Sequence, residues 1–344
     1  INRWLVPTTI VVVALVAGVV GYQLRSGVVS DDASVPPIES TFTQLTSFAG
    51  QELFPSISPD GEYFVYSSDV SGNWDVYLQR VGGERPINLT ANCIDDDTEP
   101  AYSPDGKKIA FRSERDRGGI FLMGATGESV RRLTDFGFNP SWSPDGQDIA
   151  FTTEQITDPE VRFARSQLWA VSTVTGETRL LSEGDAVQAA WAPSGKRVAF
   201  WSLDNAAGER TAVRNIWTIR ATGGDPLQVT DDDYIDWNPR WSPDGKYLYF
   251  SSDRGGSMNV WRVLIDDESG RVLAEPEAIT TGASASRHHI DFDGDGGRVI
   301  YVERNVFMDI WKVAFDPESR RVEETPMPVT RGSRNLTHPD VSPD

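Results

Sequence analysis

Residues Pro239-Arg-Trp241-Ser-Pro-Asp-Gly245, followed two residues later by the apolar run Leu248-Tyr-Phe250, decide the fold. In Ser-Pro-Asp-Gly, proline fixes the backbone at the second turn position, aspartate tolerates the third, and glycine accepts a left-handed exit. Short runs of β-branched and aromatic residues are typical of strands buried on both faces. The stretch therefore predicts a strand, a hairpin turn and a second strand.

The same pattern recurs from about residue 42 to the end of the sequence. Its turn prolines are residues 59, 104, 144, 193 and 243, so successive copies lie 45, 40, 49 and 50 residues apart. A third strand in each copy has an apolar-aromatic pair such as Val260-Trp261, and a fourth ends in a pair such as Val229-Thr230. Four strands in a period of this size predict the blade of a β-propeller.

Six copies carry all four strand signatures. A weaker turn, Ile290–Gly296, belongs to the sixth, and a seventh copy, Pro339–Asp344, stops before its glycine. The sequence predicts an all-β propeller with six complete blades and a truncated seventh. Phe42–Thr46 has the pattern of a fourth strand without a blade of its own, and we expect it to complete that seventh blade.

The turn, the apolar-Trp strand and the apolar-Thr blade end resemble the repeats of TolB-type propellers and of the N-terminal propellers of dipeptidyl peptidase IV-like proteins. The resemblance covers roughly residues 42–344. It implies the fold and leaves the activity open, because function resides in sites and not in folds. Where TolB-type proteins have a helical domain before the propeller, this sequence has an apolar segment.

That apolar segment, Trp4 to Leu24, contains no charged residue. As a helix rising about 1.5 Å per residue it would span roughly 31 Å, the thickness of a bilayer's hydrocarbon core. We expect one transmembrane α-helix in residues 1–25, a linker in 26–41 and the propeller in 42–344, on the periplasmic side. A cleaved signal peptide is the alternative. Ala14 and Gly18, four residues apart, fit dimerisation through this helix.

Composition excludes several classes of function. The formal net charge of −19 disfavours nucleic-acid binding. The single cysteine, Cys93, excludes an internal disulfide framework and a cysteine-based zinc site. The sequence has no G-x-S-x-G nucleophile motif, no Walker A loop and no kinase signature, so we expect no catalysis by this segment.

The candidate binding residues precede the Pro-x-aromatic motif, where each first strand enters from the loops before it. We expect this position to lie at the channel mouth on the face formed by those loops, and it is polar in six of seven copies. After Phe54 in the first copy, these polar residues are Glu99, Asn139, Gln188, Asn238, His289 and His338. Such a ring fits a small polar ligand, a peptide or a protein. The alternative is that these side chains bond to turns and channel water.

Acidic residues offer a second candidate site. Asp291, Asp293 and Asp295 alternate and are followed by Gly296, as at the start of a calcium-binding loop, but the twelfth position is Val302 instead of glutamate. Calcium is therefore the one cofactor that the sequence suggests, and a hairpin turn is the alternative. We expect the acidic runs 95–97 and 231–233 to be solvated loops, although aspartates converging from the two blades are the alternative calcium ligands. Residues 153–167 and 202–214 are the longest loops between second and third strands, on the same face.

We expect a non-catalytic, ligand- or protein-binding propeller that forms the extracytoplasmic sensor or scaffold of a single-pass membrane protein. In this interpretation a kinase or a regulator would precede the membrane span. Two alternatives remain open. One is the propeller of a dipeptidyl peptidase IV-like serine peptidase whose catalytic domain lies beyond residue 344, and the other is a TolB-like envelope scaffold.

Overall fold

The computed structural model describes residues 42–330, apart from 49, 160, 161, 163, 205–208, 283–284, 306–309, 317 and 323–324. The chain divides into two compact units, Ile1–Thr43 and Gln44–Asp344. All the sheets described below belong to the second unit. The predicted membrane span, Trp4 to Leu24, lies outside the described residues, and within those residues no helix is long and apolar enough to cross a bilayer.

Five antiparallel sheets of four strands each follow one another along the chain, and they form blades one to five. Blade one has β1 (Glu52–Ile57), β2 (Tyr63–Ser68), β3 (Asp75–Arg80) and β4 (Ile87–Asn88). Blade two has β5 (Asp97–Tyr102), β6 (Lys108–Ser113), β7 (Gly119–Gly124) and β8 (Arg131–Arg132). Blade three has β9 (Phe138–Trp142), β10 (Asp148–Thr152), β11 (Leu168–Ser172) and β12 (Thr178–Ser182).

Blade four has β13 (Val187–Trp191), β14 (Arg197–Asp204), β15 (Arg210–Arg220) and β16 (Leu227–Gln228). Blade five has β17 (Asp236–Trp241), β18 (Tyr247–Ser252), β19 (Asn259–Leu264) and β20 (Glu277–Ala278). A 3-10 turn, Arg115–Arg117, lies between β6 and β7.

The sixth repeat consists of separate two-stranded sheets. They pair β21 (Ser286–Phe292) with β22 (Val299–Arg304), β23 (Trp311–Lys312) with β26 (Met327–Pro328), and β24 (Phe315–Asp316) with β25 (Arg321–Val322). β21 packs against blade one: the Ile57 N–H donates to Asp291 Oδ2 at 3.0 Å, and the rings of Phe54 and His289 lie 4.6 Å apart. The β21–β22 sheet thus closes the ring between blades five and one.

The prediction of six complete blades and a truncated seventh is therefore wrong. The described residues form five complete blades, and the direct packing of β21 on β1 leaves no place for another blade between them. The sixth repeat has the sequence signatures of a blade, but its outer strands bury little apolar surface. Trp311 is 59% and Phe315 57% exposed, so little apolar burial holds its outer strands to β22.

The predicted strand Phe42–Thr46 is also wrong, because residues 42–48 form no strand. Leu45 instead packs against a buried cluster that includes Tyr66 and Tyr77 of blade one. The carbonyl of Leu45 accepts a hydrogen bond from Gln79 Nε2 at 3.0 Å. This segment is therefore attached to blade one and completes no other blade.

The hydrophobic core lies between neighbouring blades. Val65 and Val76 of blade one share a buried cluster with Ile109, Phe111 and Phe121 of blade two. Blades four and five share a larger cluster around Trp201 and Trp237. Each blade therefore depends on its neighbours to remove its apolar faces from water, which is the main stabilising contribution in such a ring.

The predicted hairpin turns are present, and in blades one, two, three and five the same set of hydrogen bonds stabilises them. In blade five, Ser242 Oγ donates to Asp244 Oδ1 at 2.7 Å, and the Tyr247 N–H donates to Ser242 Oγ at 3.0 Å. The serine hydroxyl lowers the pKa of Asp244. Equivalent serine-aspartate bonds occur in the turns at Ser58, Ser103 and Ser143.

Neighbouring turns also touch one another at this end of the ring, which we call the turn end. Gly106 has φ +69°, and a Cβ there would lie 3.3 Å from the Cδ of Pro59 in the preceding turn. Gly195 meets Pro144 of the preceding turn in the same way. Proline and glycine of the motif thus shape each turn and also join adjacent blades.

Candidate binding site on the propeller axis

The first strand of each blade lies nearest the axis and is here called the innermost strand. Each of these five strands, and β21 of the sixth repeat, is irregular at one position. The register shifts there, for example between Thr98 and Ala101 and between Trp237 and Arg240, as in a β-bulge. The residue at the shift has a left-handed backbone in all six strands, with φ between +52° and +57°. These six residues, here called the axial ring, are Phe54, Glu99, Asn139, Gln188, Asn238 and His289.

A positive φ is uncommon for residues other than glycine, and it is strained for bulky side chains. Six such residues at the same position of six strands indicate a conformation that the fold imposes. The five polar members that lie in the described residues are the ones predicted from the sequence, and Phe54 is the sixth member. The remaining predicted residue, His338, lies outside the described residues. That the ring binds a ligand stays a prediction.

The axial ring lines a cavity on the axis with a volume of about 100 Å³. Each innermost strand contributes its ring residue and one or two residues that follow it toward the hairpin turn. The residues that precede the ring, such as Thr98 and Trp237, do not line the cavity. It therefore extends from the ring toward the turn end, and not toward the loops where we expected the mouth.

Glu99 is the acidic member of the ring and is almost fully buried. Its Oε2 accepts the Asn139 N–H of the next blade at 2.5 Å, and its own N–H donates to Ser67 Oγ at 3.1 Å. Burial raises the pKa of the Glu99 carboxyl to about 7, although the bond from Asn139 acts in the opposite direction. Near neutral pH this carboxyl therefore exists in both protonation states.

Gln188 has a fixed amide orientation. Trp201 Nε1–H donates to Gln188 Oε1 at 2.7 Å, so the carbonyl oxygen of the amide is occupied. The NH₂ group of Gln188 consequently faces away from Trp201. The nitrogen of this amide can only donate, and it is buried without an acceptor among the described residues.

His289 and its neighbour His288 form a buried pair with 2.5 Å between their Nδ1 atoms. Burial lowers the pKa of His288 to about 4 and that of His289 well below the usual histidine range. Both rings are therefore neutral at physiological pH, so one Nδ1 donates and the other accepts. His289 also lies edge-on to Phe54 and Trp237.

Three polar atoms of the axial ring are buried and have no hydrogen-bond partner among the described residues: Glu99 Oε1, Gln188 Nε2 and His289 Nε2. They come from blade two, blade four and the β21–β22 sheet, which are alternate positions around the ring. A buried polar group without a partner costs about 1–3 kcal/mol, and native proteins leave few of them. These atoms are covered by the residues around them, so they are polar groups packed inside the ring and not groups on the surface of the cavity.

The other polar ring residues are already bonded. Asn139 Nδ2 donates to the carbonyl of Glu154 at 3.4 Å, and Asn238 Oδ1 accepts the Ile290 N–H at 3.2 Å. These two amides, from blades three and five, join the ring to neighbouring chain segments. These two residues thus alternate around the axial ring with Glu99, Gln188 and His289, each of which has a buried polar atom.

A segment of blade three closes the opposite end of the axis. Residues 153–159 with Arg162, here called the axial strap, follow β10 and reach several blades. Ile156 is buried in the cluster that contains Val187, Trp201 and Trp237 of blades four and five. Gln155 Nε2 donates to Thr98 Oγ1 of blade two at 3.5 Å. Arg304 of β22 bonds to Asp158 at 3.4 Å. The strap therefore lies across the loop end of the axis.

Arg162 anchors the strap. Its guanidinium is buried, bonds to both carboxylate oxygens of Asp185, and donates to Glu154 Oε2 at 2.7 Å. It also lies 5.0 Å from the ring centre of Trp201, which in turn holds Gln188. Burial alone would raise the pKa of Asp185, but the bonds from Arg162 lower it below the usual value.

No sequence pattern indicated the strap, which lies in one of the two longest predicted loops. Its one signal was an apolar residue, Ile156, inside a polar stretch. Asp97 and Asp236, in or near the two acidic runs, are also buried instead of solvated. Arg115 bonds to Asp97 at 2.5 Å and Arg254 to Asp236 at 2.6 Å, each tying a long loop to the start of an innermost strand.

The structure does not bring the three candidate calcium ligands together. Asp291 accepts from the Ile57 N–H and pairs with Arg240, Asp293 accepts from the Arg298 N–H, and Asp295 accepts from the Gly297 N–H. This segment forms the turn between β21 and β22. Among the residues described, no group of three acidic, histidine or cysteine side chains is placed to hold a metal ion.

The fold and the axial cavity define a β-propeller with a polar site on its axis. A family model for the TolB beta propeller domain matches residues 33–205 and 138–344, which together cover most of the chain. The chain belongs to this family.

Individual relatives agree with this assignment. The Tol-Pal system protein TolB of Francisella tularensis subsp. mediasiatica is 30% identical over 221 residues, covering 62% of this chain and 49% of the relative. An uncharacterized protein of Agrobacterium fabrum is 27% identical over 171 residues, covering 49% of this chain and 55% of the relative. The chain thus spans about half the length of these curated relatives.

Among solved structures, a TolB candidate from Agrobacterium tumefaciens superposes with a TM-score of 0.58 at 21% identity. The superposition covers 76% of this chain and 92% of that protein. At this level of identity the likeness shows the fold alone.

Proposed function

We propose that this chain is a non-catalytic binding module whose propeller holds a protein partner at the turn end of the ring. One observation carries the proposal. The axial cavity extends from the ring toward the turn end, and residues of all five blades and of β21 line it together. A concave site that several elements line in this way is where a ligand is expected to bind.

The surface of the turn end supports docking of a protein. Its turns are held by the repeated serine-aspartate bonds, so little conformational freedom would be lost on binding. A second hollow, with a volume of about 280 Å³, lies between the turns of blades two and three. Pro104, Trp142 and Pro144 are among the residues that line it. Gly146 has open space beside it there, unlike Gly106 and Gly195 in other turns. An apolar side chain of a partner fits such a hollow.

The family relationship suggests the setting. The relative from Francisella tularensis is named as a protein of the Tol-Pal system. We propose that the present chain likewise acts in an extracytoplasmic assembly of proteins, as a scaffold or a sensor. The net charge of −19 favours partners with a basic docking surface.

Site-specific photocrosslinking tests this proposal in cells that make the full protein. A crosslinking amino acid replaces Lys107 or Gln147, exposed residues at the turn end, or Ile94 or Asp233, exposed residues at the loop end. We expect a discrete crosslinked protein from the turn-end positions and none from the loop-end positions. Crosslinks from the loop end alone, or from neither end, would contradict the proposal.

A further inference from the structure

We infer that the hollow between the turns of blades two and three anchors one apolar side chain of the docked protein, next to a basic residue that pairs with Asp145. This anchor site deepens the proposed function and rests on it, because it names the chemistry of the docked surface. Two features of the hollow carry the inference: a missing contact between neighbouring turns, and an unpaired carboxylate beside apolar walls.

The hollow is a gap in a series of contacts that other turns make. In three pairs of neighbouring turns, the glycine of one turn packs against the proline of the turn before it. These pairs are Gly106 with Pro59, Gly195 with Pro144, and Gly296 with Pro243. At Gly146, by contrast, an added Cβ would meet no other described residue within 4 Å. Pro104 of the preceding turn is exposed and lines the hollow instead of packing on Gly146.

Between blades four and five, where the proline-glycine contact is also absent, the chain fills the space itself. Asp267, from the loop after β19, lies against Gly245, where a Cβ would be 2.7 Å from Asp267 Oδ2. The Ser194 N–H of the blade-four turn donates to the same oxygen at 2.9 Å. No described segment fills the corresponding space between blades two and three, and its volume is about 280 Å³. That space is therefore available to a group of another molecule.

The walls of the hollow are apolar and already in place. Pro104 of blade two and Pro144 of blade three are exposed, and proline rings are rigid. Trp142 also lines the hollow, and its Nε1–H donates to the carbonyl of Ala101 at 3.0 Å, which holds the indole between the two blades. An apolar side chain that enters the hollow is removed from water at little cost in conformational entropy of the walls.

The blade-three side of the hollow carries an exposed carboxylate, Asp145. The Ser143 hydroxyl and the Gln147 N–H lower the pKa of this carboxyl, so it is ionised at neutral pH. Both groups donate to Oδ1, at 2.6 and 3.1 Å. The other carboxylate oxygen, Oδ2, is therefore available to a cation at the rim of the hollow.

Equivalent carboxylates in two other turns have a cation of their own. Lys107 Nζ lies 3.9 Å from Asp105 in blade two, and Lys246 Nζ lies 3.2 Å from Asp244 in blade five. Blade three has Gln147 at the position of these lysines, and no ion pair to Asp145 occurs among the described residues. A basic residue of the partner would supply the missing cation.

The blade-two side of the hollow does not attract a second cation in the same way. Lys108 lines the hollow there, and the Ser103 hydroxyl together with Lys107 and Lys108 lowers the pKa of Asp105. The two lysines offset the charge of Asp105. The basic residue of the partner is therefore expected beside blade three, and the apolar side chain between Pro104 and Pro144.

The first test is an NMR titration of the full ¹⁵N-labelled chain with three short peptides. They are acetyl-Arg-Leu-Arg-amide, acetyl-Arg-Ser-Arg-amide, which lacks the apolar side chain, and acetyl-Glu-Leu-Glu-amide, which reverses the charge. The indole N–H signal of Trp142 is assigned from its loss in Trp142→Phe. We expect the first peptide to shift this signal saturably, with about tenfold higher affinity than either comparison peptide. Equal affinities, or no shift by the first peptide, would overturn the inference.

A variant that fills the hollow tests its location. Gly146→Asn adds a side chain at the wall of the hollow, and asparagine tolerates the left-handed backbone of this residue, with φ +69°. Gly176→Asn is the matched control, because Gly176 has φ +76° and open space beside it in the hairpin between β11 and β12. We expect Gly146→Asn to weaken binding of the first peptide by about tenfold and Gly176→Asn to leave it unchanged.

A second pair of variants tests the charge. Asp145→Asn keeps an oxygen for the Ser143 hydroxyl and removes the charge, so we expect about threefold weaker binding of the first peptide. Asp244→Asn makes the same change in the turn of blade five and should have no effect. The melting temperature shows whether each variant folds. If Gly146→Asn and Asp145→Asn fold and bind the peptide as well as the parent, the anchor site is wrong.

The same variants separate the anchor site from the proposed docking. With the crosslinking amino acid at position 107, we expect Gly146→Asn to reduce the crosslinked protein and Gly176→Asn to leave it unchanged. Equal crosslinking in the two variants would overturn the anchor site and leave docking at the turn end intact. Saturable binding of the first peptide that Gly146→Asn weakens, without any crosslink from the turn end, would overturn the proposed docking and support the anchor site.

Discussion

The two ends of the propeller are built in different ways. At the turn end, four blades repeat one serine-aspartate bond, and neighbouring turns touch through proline and glycine. At the loop end, the connections differ in length and partners, and the axial strap reaches across the axis from blade three. The repeated end frames an open cavity, whereas the irregular end closes it.

The repeated turns support the ring in every blade, whereas the individual loop contacts are particular to this chain. The turn end depends mainly on bonds within each turn, between residues two and five positions apart. Its long-range bonds, such as the one from Arg298 to the carbonyl of Gly61, join neighbouring turns. The loop end depends on contacts between distant residues, such as Arg304 with Asp158, 146 positions apart in sequence. Substitutions at the two ends should therefore differ in size and in kind.

The largest effect is expected at the strap. Arg162→Met removes the partner of the buried Asp185, and breaking a buried ion pair in this way costs about 3–5 kcal/mol. We expect a loss of this size in the free energy of unfolding, measured by urea denaturation. Protease cleavage between residues 153 and 167 should also become faster.

Lys196→Met is the control. The side chains of Lys196 and Glu268 are 56% and 61% exposed, and their charged groups lie 2.6 Å apart. Exposed pairs contribute about 0–1 kcal/mol, so we expect a loss below 1 kcal/mol. Equal losses in the two variants would contradict the role of Arg162 as the anchor of the strap.

The second effect is pH-dependent and arises at the floor of the cavity. The pKa of Glu99 rises from about 4.5 in the unfolded chain to about 7 in the folded one. Folding is therefore penalised when the carboxyl is ionised, and the penalty grows as pH rises from about 4.5 to 7 and is complete above 7. At about 1.36 kcal/mol per pH unit, it reaches about 3 kcal/mol.

Glu99→Gln removes this penalty and keeps an oxygen for the Asn139 N–H. We expect the variant to match the parent in stability near pH 4 and to exceed it by up to about 3 kcal/mol at pH 8. Urea denaturation across this pH range measures the difference. A difference that does not change with pH would show that Glu99 is not the buried titrating group.

The smallest effect is expected at the turn end. Ser242→Ala removes the hydroxyl that bonds to Asp244 and accepts from Tyr247, and a typical intramolecular hydrogen bond contributes about 1 kcal/mol. Ser103→Ala and Ser143→Ala should cost similar amounts because their turns make the same bonds. Thermal unfolding of the three variants checks this. A loss confined to one turn would contradict the equivalence of the repeats.

Much of this contrast follows from what sequence can encode locally. The hairpin turns and the positions of Glu99, Asn139, Gln188, Asn238 and His289 could be predicted, because each lies at a fixed spacing from a turn motif. The blade count could not. Val329-Thr330 has the sequence pattern that ends a fourth strand. Whether β22 pairs with β23 depends on how much apolar surface the repeat buries, and the motif does not predict that amount.

The strap and the direction of the cavity were missed for a similar reason. The partners of Ile156 lie in blades four and five, and no local pattern marks them. The direction of the cavity depends on which side of the ring the strap, Trp237 and His288 fill. These are properties of the closed ring, so they became visible only when distant segments were placed together.

The central claim is that the axis is closed at the loop end and open at the turn end. Two residues that flank Gln188 in β13 test it: Val187, fully buried on the loop side, and Ala189, which lines the cavity. Each is replaced by cysteine in a Cys93→Ser background, and the rate of labelling by a small neutral thiol reagent is measured. We predict that Ala189→Cys reacts at least tenfold faster than Val187→Cys. Equal rates, or faster labelling at position 187, would contradict the account.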